Sequence, residues 1–164
     1  MEVEAKLEEL GLLLPAPAKV PPGLVLPFSW VRGDRAYVSG HVPLAPDGSP
    51  AGPRGKVGTE VSEEEAYGAA RLTALAILAS LQRELGDLDR VTAWLRVFGM
   101  VNSAPGFERQ PNVINGFSDL VLELYGPEAG DHARSAVGMA ALPLGMPVEI
   151  EAEVEVSAGH RNDG

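Results

Sequence analysis

From Val148 to Val156 the chain alternates without a break, with Val148, Ile150, Ala152, Val154 and Val156 at every second position and Glu149, Glu151, Glu153 and Glu155 between them. Successive side chains of an extended segment point to opposite sides, so this is a strand with one apolar and one acidic face. Just upstream, Ala133–Ala141 is a second strand carrying Arg134, and Leu142-Pro143-Leu144-Gly145 turns the chain back into the strand that bears Glu149. A guanidinium and a carboxylate on neighbouring strands can hold an acid substrate and activate water.

The remaining segments specify what surrounds these strands. Val3, Leu7 and Leu10 have helical spacing and a Pro-rich passage follows from Pro15 to Pro22, so residues 1–22 read as a short helix on a stiff tether, an appendage to a domain spanning 23–157. Residues 158–164 are a polar tail. Phe28–Arg32 and Ala36–His41 form a hairpin through Gly33-Asp34, and Val42–Gly58, with four prolines and four glycines, is a loop. Ser62 with Glu65 three residues on is a capping box for a helix that Gly86 stops, and Ala66, Ala69, Ala70, Thr73, Ile77, Leu78, Leu81 and Leu85 make its apolar stripe. The small residues early in that stripe predict close packing against a sheet.

Val91–Val101 alternates so that Val91, Ala93, Leu95, Val97 and Val101 share one face and Thr92, Trp94, Arg96, Phe98 and Met100 the other. Both faces are largely apolar. Helices cover one of them, so Trp94, Phe98 and Met100 require a second cover, most simply another subunit. Pro111–Tyr125 is a second long helix, closed by Gly126-Pro127. The order β-β-α-β-α-β-β, with two helices packed on one face of a mixed sheet, defines an α+β fold.

Composition removes several functions. A length of 164 residues fits one domain, and a formal charge of −10 with thirteen scattered basic residues works against phosphate backbones, so nucleic acid is not an expected partner. The absence of cysteine excludes disulfides, thiolate zinc sites and cysteine nucleophiles. No apolar run is as long as a membrane span, and the acidic start Met1-Glu-Val-Glu is unlike a signal peptide; a cytoplasmic protein without a membrane partner is expected. No His, Asp and Glu set has metal-ligand spacing and no glycine run resembles a phosphate loop, so neither metal nor cofactor is indicated.

Together with the element order, four features resemble the RidA family, also called YjgF/YER057c/UK114. They are Ser39-Gly40-His41-Val42-Pro43, Ile114-Asn115, the Arg134-Ser-x-Val strand, and the Leu-Pro turn leading into Val148-Glu-Ile-Glu-Ala. The resemblance runs from about Phe28 to Val156. Gly55-Lys-Val-Gly58, Gly99–Pro105 and Asn112–Gly116 are similar to a divergent subgroup of that family. The resemblance implies a chorismate-mutase-like fold, a homotrimer with sites between subunits, and hydrolytic deamination of reactive 2-imino or enamine acids. Arg134 would clamp the substrate carboxylate with its planar fork, and Glu149 would orient and deprotonate water. Asn115 and the Ser39-Gly40 loop would supply hydrogen bonds, the backbone of Ala136 would line the pocket, and Phe28 stands where the family often has a tyrosine.

Each residue also has a plainer role. A lone arginine on a strand is ordinarily an ion-pair partner, and alternating glutamates are ordinarily a solvated face, which is kept for Glu153 and Glu155 with Glu151 undecided. Asn115 can bond the backbone near its helix start. Ser39-Gly40 can be a strand-end turn, and His41 and His132, beside turns, read as bystanders. The functional alternatives to a hydrolase are a trimeric protein that binds small carboxylates without turning them over and, behind it, the endoribonuclease of the family's older name.

Overall fold

The computed structural model describes residues 1–159, so most of the expected polar tail, with His160, lies outside the described residues. The regular elements are α1 (Glu2–Glu9), β1 (Ser29–Arg32), β2 (Arg35–His41), α2 (Glu63–Leu85), β3 (Val91–Asn102), α3 (Gln110–Gly130), β4 (Ala133–Met139) and β5 (Val148–Val156). The five strands lie in the order β1-β2-β5-β3-β4, antiparallel except for the β3–β4 pair. This is the expected α+β mixed sheet of the chorismate-mutase-like type.

One neighbour relation differs from expectation. Strands β4 and β5, consecutive in the chain, are separated by β3, so Arg134 and Glu149 are not on neighbouring strands. The reason is the β3–α3–β4 crossover, which lays β4 parallel to β3 on its free side and leaves β5 only the other side. The connection therefore crosses the end of β3, where the Asn102 N–H donates to the Pro147 carbonyl at 2.9 Å.

Strand β3 also departs from strict alternation. Register shifts between Val91 and Ala93 and between Trp94 and Arg96 each add a residue, so Val91, Trp94, Val97, Gly99 and Val101 face the helices. Trp94 therefore does not belong with Phe98 and Met100 on the outer face. It is 2 % exposed and packs edge-on against Phe117 at 5.6 Å and Tyr125 at 5.8 Å, both on α3. A β-bulge reverses facing without any change in residue type, which is why the alternation misplaced it.

Helix α2 carries the predicted capping box, with both the Ser62 and Glu65 bonds formed, and ends at Gly86 in the left-handed region. Its small stripe residues admit α3 as well as the sheet: at Gly116 of α3, an added Cβ would lie 2.1 Å from the Tyr67 carbonyl oxygen of α2. Helix α3 breaks at Gly126, where its predicted stop lies, and one more turn follows.

The first segment is packed onto the domain rather than carried as an appendage. Val3 and Leu7 are buried in the common core. The Asp89 carboxylate accepts the N–H groups of Glu2 at 2.7 Å and Val3 at 3.0 Å, satisfying the first turn of α1 from a distant part of the chain. Glu4 in return accepts the Leu88 N–H at 2.9 Å.

Candidate functional site

Arg134 is level with Val97, so it points to the helix side of the sheet at the open edge made by β4. There α3 presents Asn115 and Ser118, three residues apart and hence on one helical face. Arg134 Nη1 donates to Asn115 Oδ1 and to Ser118 Oγ, each at 3.0 Å, and Nη2 donates to the Pro111 carbonyl at 3.3 Å. His132 completes the arrangement. Its Nδ1 is 2.7 Å from the Gly130 carbonyl, which can only accept, so Nδ1 carries the proton and Nε2 accepts from the Ser118 hydroxyl at 2.8 Å. The Ser118 lone pairs are then turned toward Arg134.

Every partner in this set is neutral. Among the described residues no ion pair includes Arg134. Burial pulls its pKa down and the charge of Asp119 pushes the other way, but a guanidinium stays protonated throughout the physiological range. The plainer role, an ion-pair partner, is thus not the one observed. Asn115 likewise bonds the arginine rather than the backbone at its helix start.

Glu149, level with Met100, stands on the opposite face of the sheet. Its carboxylate packs against Gly40, where an added Cβ would lie 2.8 Å from Oε2, so Gly40 serves as space for the acid. Burial first, and then the charge of Glu151, raise its pKa above the ordinary glutamate value. Glu149 and Gly40 line a cleft of about 440 Å³, whose other walls include Lys19, Phe28, His41, Leu44 and Leu144.

The other expected residues divide as follows. Phe28 lies in the cleft and stacks edge-on against His41 at 5.1 Å. Ser39 does not line it: its hydroxyl donates to the Pro27 carbonyl at 2.7 Å and its N–H to the Phe28 carbonyl at 3.0 Å, fastening the chain as it enters β1. Ala136, level with Gly99, packs against the core on the helix side. His41 is 3 % exposed, with Nδ1 donating to the Ser39 carbonyl at 2.6 Å and Nε2 accepting from the Ser80 hydroxyl at 2.8 Å. Burial lowers its pKa to about 4, so it is neutral.

Two groupings result, Arg134 with Asn115 and Glu149 with Gly40 and Phe28, on opposite faces of one sheet. Ser118 was not visible as a site residue. Its spacing from Asn115 was legible, but only the β3–α3–β4 crossover brings Arg134 to it. Three acids, Glu4, Asp87 and Asp89, converge closely enough to surround a cation, but Asp89 already holds the first turn of α1, Asp87 the Met1 ammonium and Glu4 the Leu88 N–H. Among the described residues no helix is long and apolar enough to cross a membrane.

The five-stranded mixed sheet with its helices on one face is a chorismate-mutase-like α+β fold. The chain belongs to the family described as "YjgF/chorismate_mutase-like, putative endoribonuclease", which matches residues 4–151. It is 42% identical to Protein TCP17 of Trypanosoma cruzi over 156 residues, 94% of each chain. The crystal structure of Atu1372 from Agrobacterium tumefaciens, a protein of unknown function, is 40% identical with a TM-score of 0.83, covering 95% of this chain and 92% of that one. A "putative endoribonuclease" from Shewanella oneidensis MR-1 is 29% identical with a TM-score of 0.85, covering 94% and 99%.

Proposed function

We propose that this protein is a cytoplasmic, cofactor-free hydrolase that converts reactive 2-imino or enamine acids to 2-oxo acids and ammonia, at sites assembled between copies of a homotrimer. The observation that carries this reading is the Arg134 guanidinium, oriented by Asn115, Ser118 and Pro111 and left without a counter-ion among the described residues. Three of its five donors are engaged there, and the others are available to a carboxylate. A charge fixed by neutral partners is a receptor for an anion, because no internal carboxylate has to be displaced first.

Glu149 supplies the second function. With its pKa raised by burial it is a stronger base than an exposed glutamate, and it takes a proton from water as the oxygen attacks the imine carbon. Returning that proton to nitrogen completes the carbinolamine; the same carboxylate then moves the hydroxyl proton to the amine, so that the C=O forms as the C–N bond breaks and ammonia and the 2-oxo acid leave. One chain places the two groups on opposite sheet faces, so a substrate touching both requires Arg134 from one copy and Glu149 from another. The outer face suits such a contact, with Phe98 and Met100 half-buried and Val137 37 % exposed.

Binding without turnover is the second reading, favoured by Phe28, which packs on His41 and brings no hydroxyl to the cleft. The Shewanella protein's description points to RNA cleavage, but a charge of −10 and a glutamate-rich outer face oppose a phosphate backbone. Ammonia release from freshly generated imines, measured for the wild type, Arg134→Ala and Glu149→Gln, tests the proposal. Loss of catalysis in both variants is expected. Unchanged rates in both overturn the hydrolase, and tight 2-oxo acid binding without ammonia release selects the binding protein.

A further inference from the structure

The tether between α1 and β1 is fastened where it meets the loop after β2. The Ala16 N–H donates to the Pro46 carbonyl at 2.9 Å and the Lys19 N–H to the Gly48 carbonyl at 3.0 Å, while Lys19 Nζ pairs with Asp47 at 3.3 Å. Arg83, on the last turn of α2, donates to the Pro15 carbonyl at 3.4 Å. The approach is so close that a Cβ on Gly48, which has φ +84°, would sit 2.2 Å from the Pro17 carbonyl oxygen. Beyond this anchored stretch, Val20, Leu24 and Leu26 line the same cleft as Glu149.

These three residues are 42 %, 52 % and 38 % exposed, an unusual arrangement for large apolar side chains that converge on one cleft. The turn before β5 supplies another: Leu144 is 49 % exposed and holds φ +60°, a conformation that costs a non-glycine residue energy. A strained, exposed leucine beside the tether leucines marks a surface shaped for an apolar ligand group rather than for the core. The cleft, at about 440 Å³, is far larger than a methyl group fills.

We propose that the tether, through Val20, Leu24 and Leu26, is the specificity wall of the Glu149 cleft, and that it selects 2-imino and 2-oxo acids with a branched or aromatic apolar side chain over those with a methyl. This rests on the reading above for where the carboxylate and the reacting carbon lie. The apolar side chain is taken up between the tether and Leu144, and the reacting carbon is held beside Glu149.

Calorimetric titration of the full chain with 4-methyl-2-oxopentanoate and with pyruvate tests this without requiring turnover. The wild type is expected to bind the branched acid at least about ten-fold more tightly, since an apolar pocket discriminates about that much for a single methylene and the isobutyl group adds more than one. In Leu24→Ser/Leu26→Ser, whose positions are exposed, the preference should fall below about three-fold with pyruvate binding little changed. Equal affinities in the wild type, or an undiminished preference in the double variant, overturn the wall. No binding of either acid overturns the wall, and the hydrolase falls with it only if ammonia release from the corresponding imines is also absent. A preference that is lost in the variant, together with no ammonia release from either imine, supports the wall and overturns the hydrolase alone.

Discussion

Arg134 and Glu149 stand on opposite faces of one sheet, with β3 between their strands. A clamp on the helix side and a water activator on the outer side cannot grip one small molecule within a single chain, and the arrangement makes subunit mixing informative. Arg134→Ala and Glu149→Gln, each inactive alone, should regain activity when unfolded together and refolded. With random assembly a site has one wild-type arginine and one wild-type glutamate about a quarter of the time, so about a quarter of wild-type activity is expected. No recovery would show that the pair does not act across subunits.

The acid limb of the rate profile should follow Glu149. Burial and the Glu151 charge both raise its pKa, so the base is lost as pH falls through that raised value. Glu151→Gln removes the second cause and should move the acid limb of kcat to lower pH without abolishing activity. An unmoved limb would assign it to another group. Glu151, undecided from sequence, thereby becomes a tuning residue with a measurable effect.

His41 gives a separate pH dependence, of stability. Burial, opposed by the bond to the Ser39 carbonyl and assisted by Arg83, lowers it to about 4. The unfolded chain takes up the proton near 6.5 while the folded chain refuses it, so stability is full above about 6.5 and falls as pH drops toward 4. About 2 kcal/mol should disappear between pH 7 and 5, read from urea midpoints, and His132, also lowered by burial, adds in the same direction. His41→Gln should flatten that slope; an equal slope in the variant would contradict the assignment.

Trp94 and Phe98, expected on one face, should behave oppositely. Trp94→Ala should cost about 3–5 kcal/mol in stability, because the ring fills the space between β3 and α3. Trp94→Phe should cost less, since the buried indole nitrogen has no hydrogen-bond partner among the described residues and its penalty goes with it. Phe98→Glu, placed opposite Glu151 on β5, should leave the chain folded and convert the assembly to monomers in sedimentation. A trimer that survives this change would show that the outer face is not the contact.

Much of this was legible because it is local. The capping box at Ser62 and Glu65, the stop at Gly86 and the alternation of Val148–Val156 follow from spacing, and each is formed as written. Arg134 and Glu149 are singled out by the family resemblance, because a strand's period by itself leaves Glu149 no different from Glu151, Glu153 and Glu155.

What spacing could not carry is the effect of one inserted residue or one non-local neighbour. The two register shifts in β3 turned Trp94 inward, and a bulge leaves no mark on residue type. The crossover through α3 put β3 between β4 and β5, separating the pair the sequence set side by side, and brought Ser118 and His132 to Arg134 instead. The sequence by itself determined the elements, the faces of its regular strands and the chemistry available. Only the tertiary structure decided which of those groups meet, because strand order and close approach depend on the packing of the whole core rather than on any one segment's period.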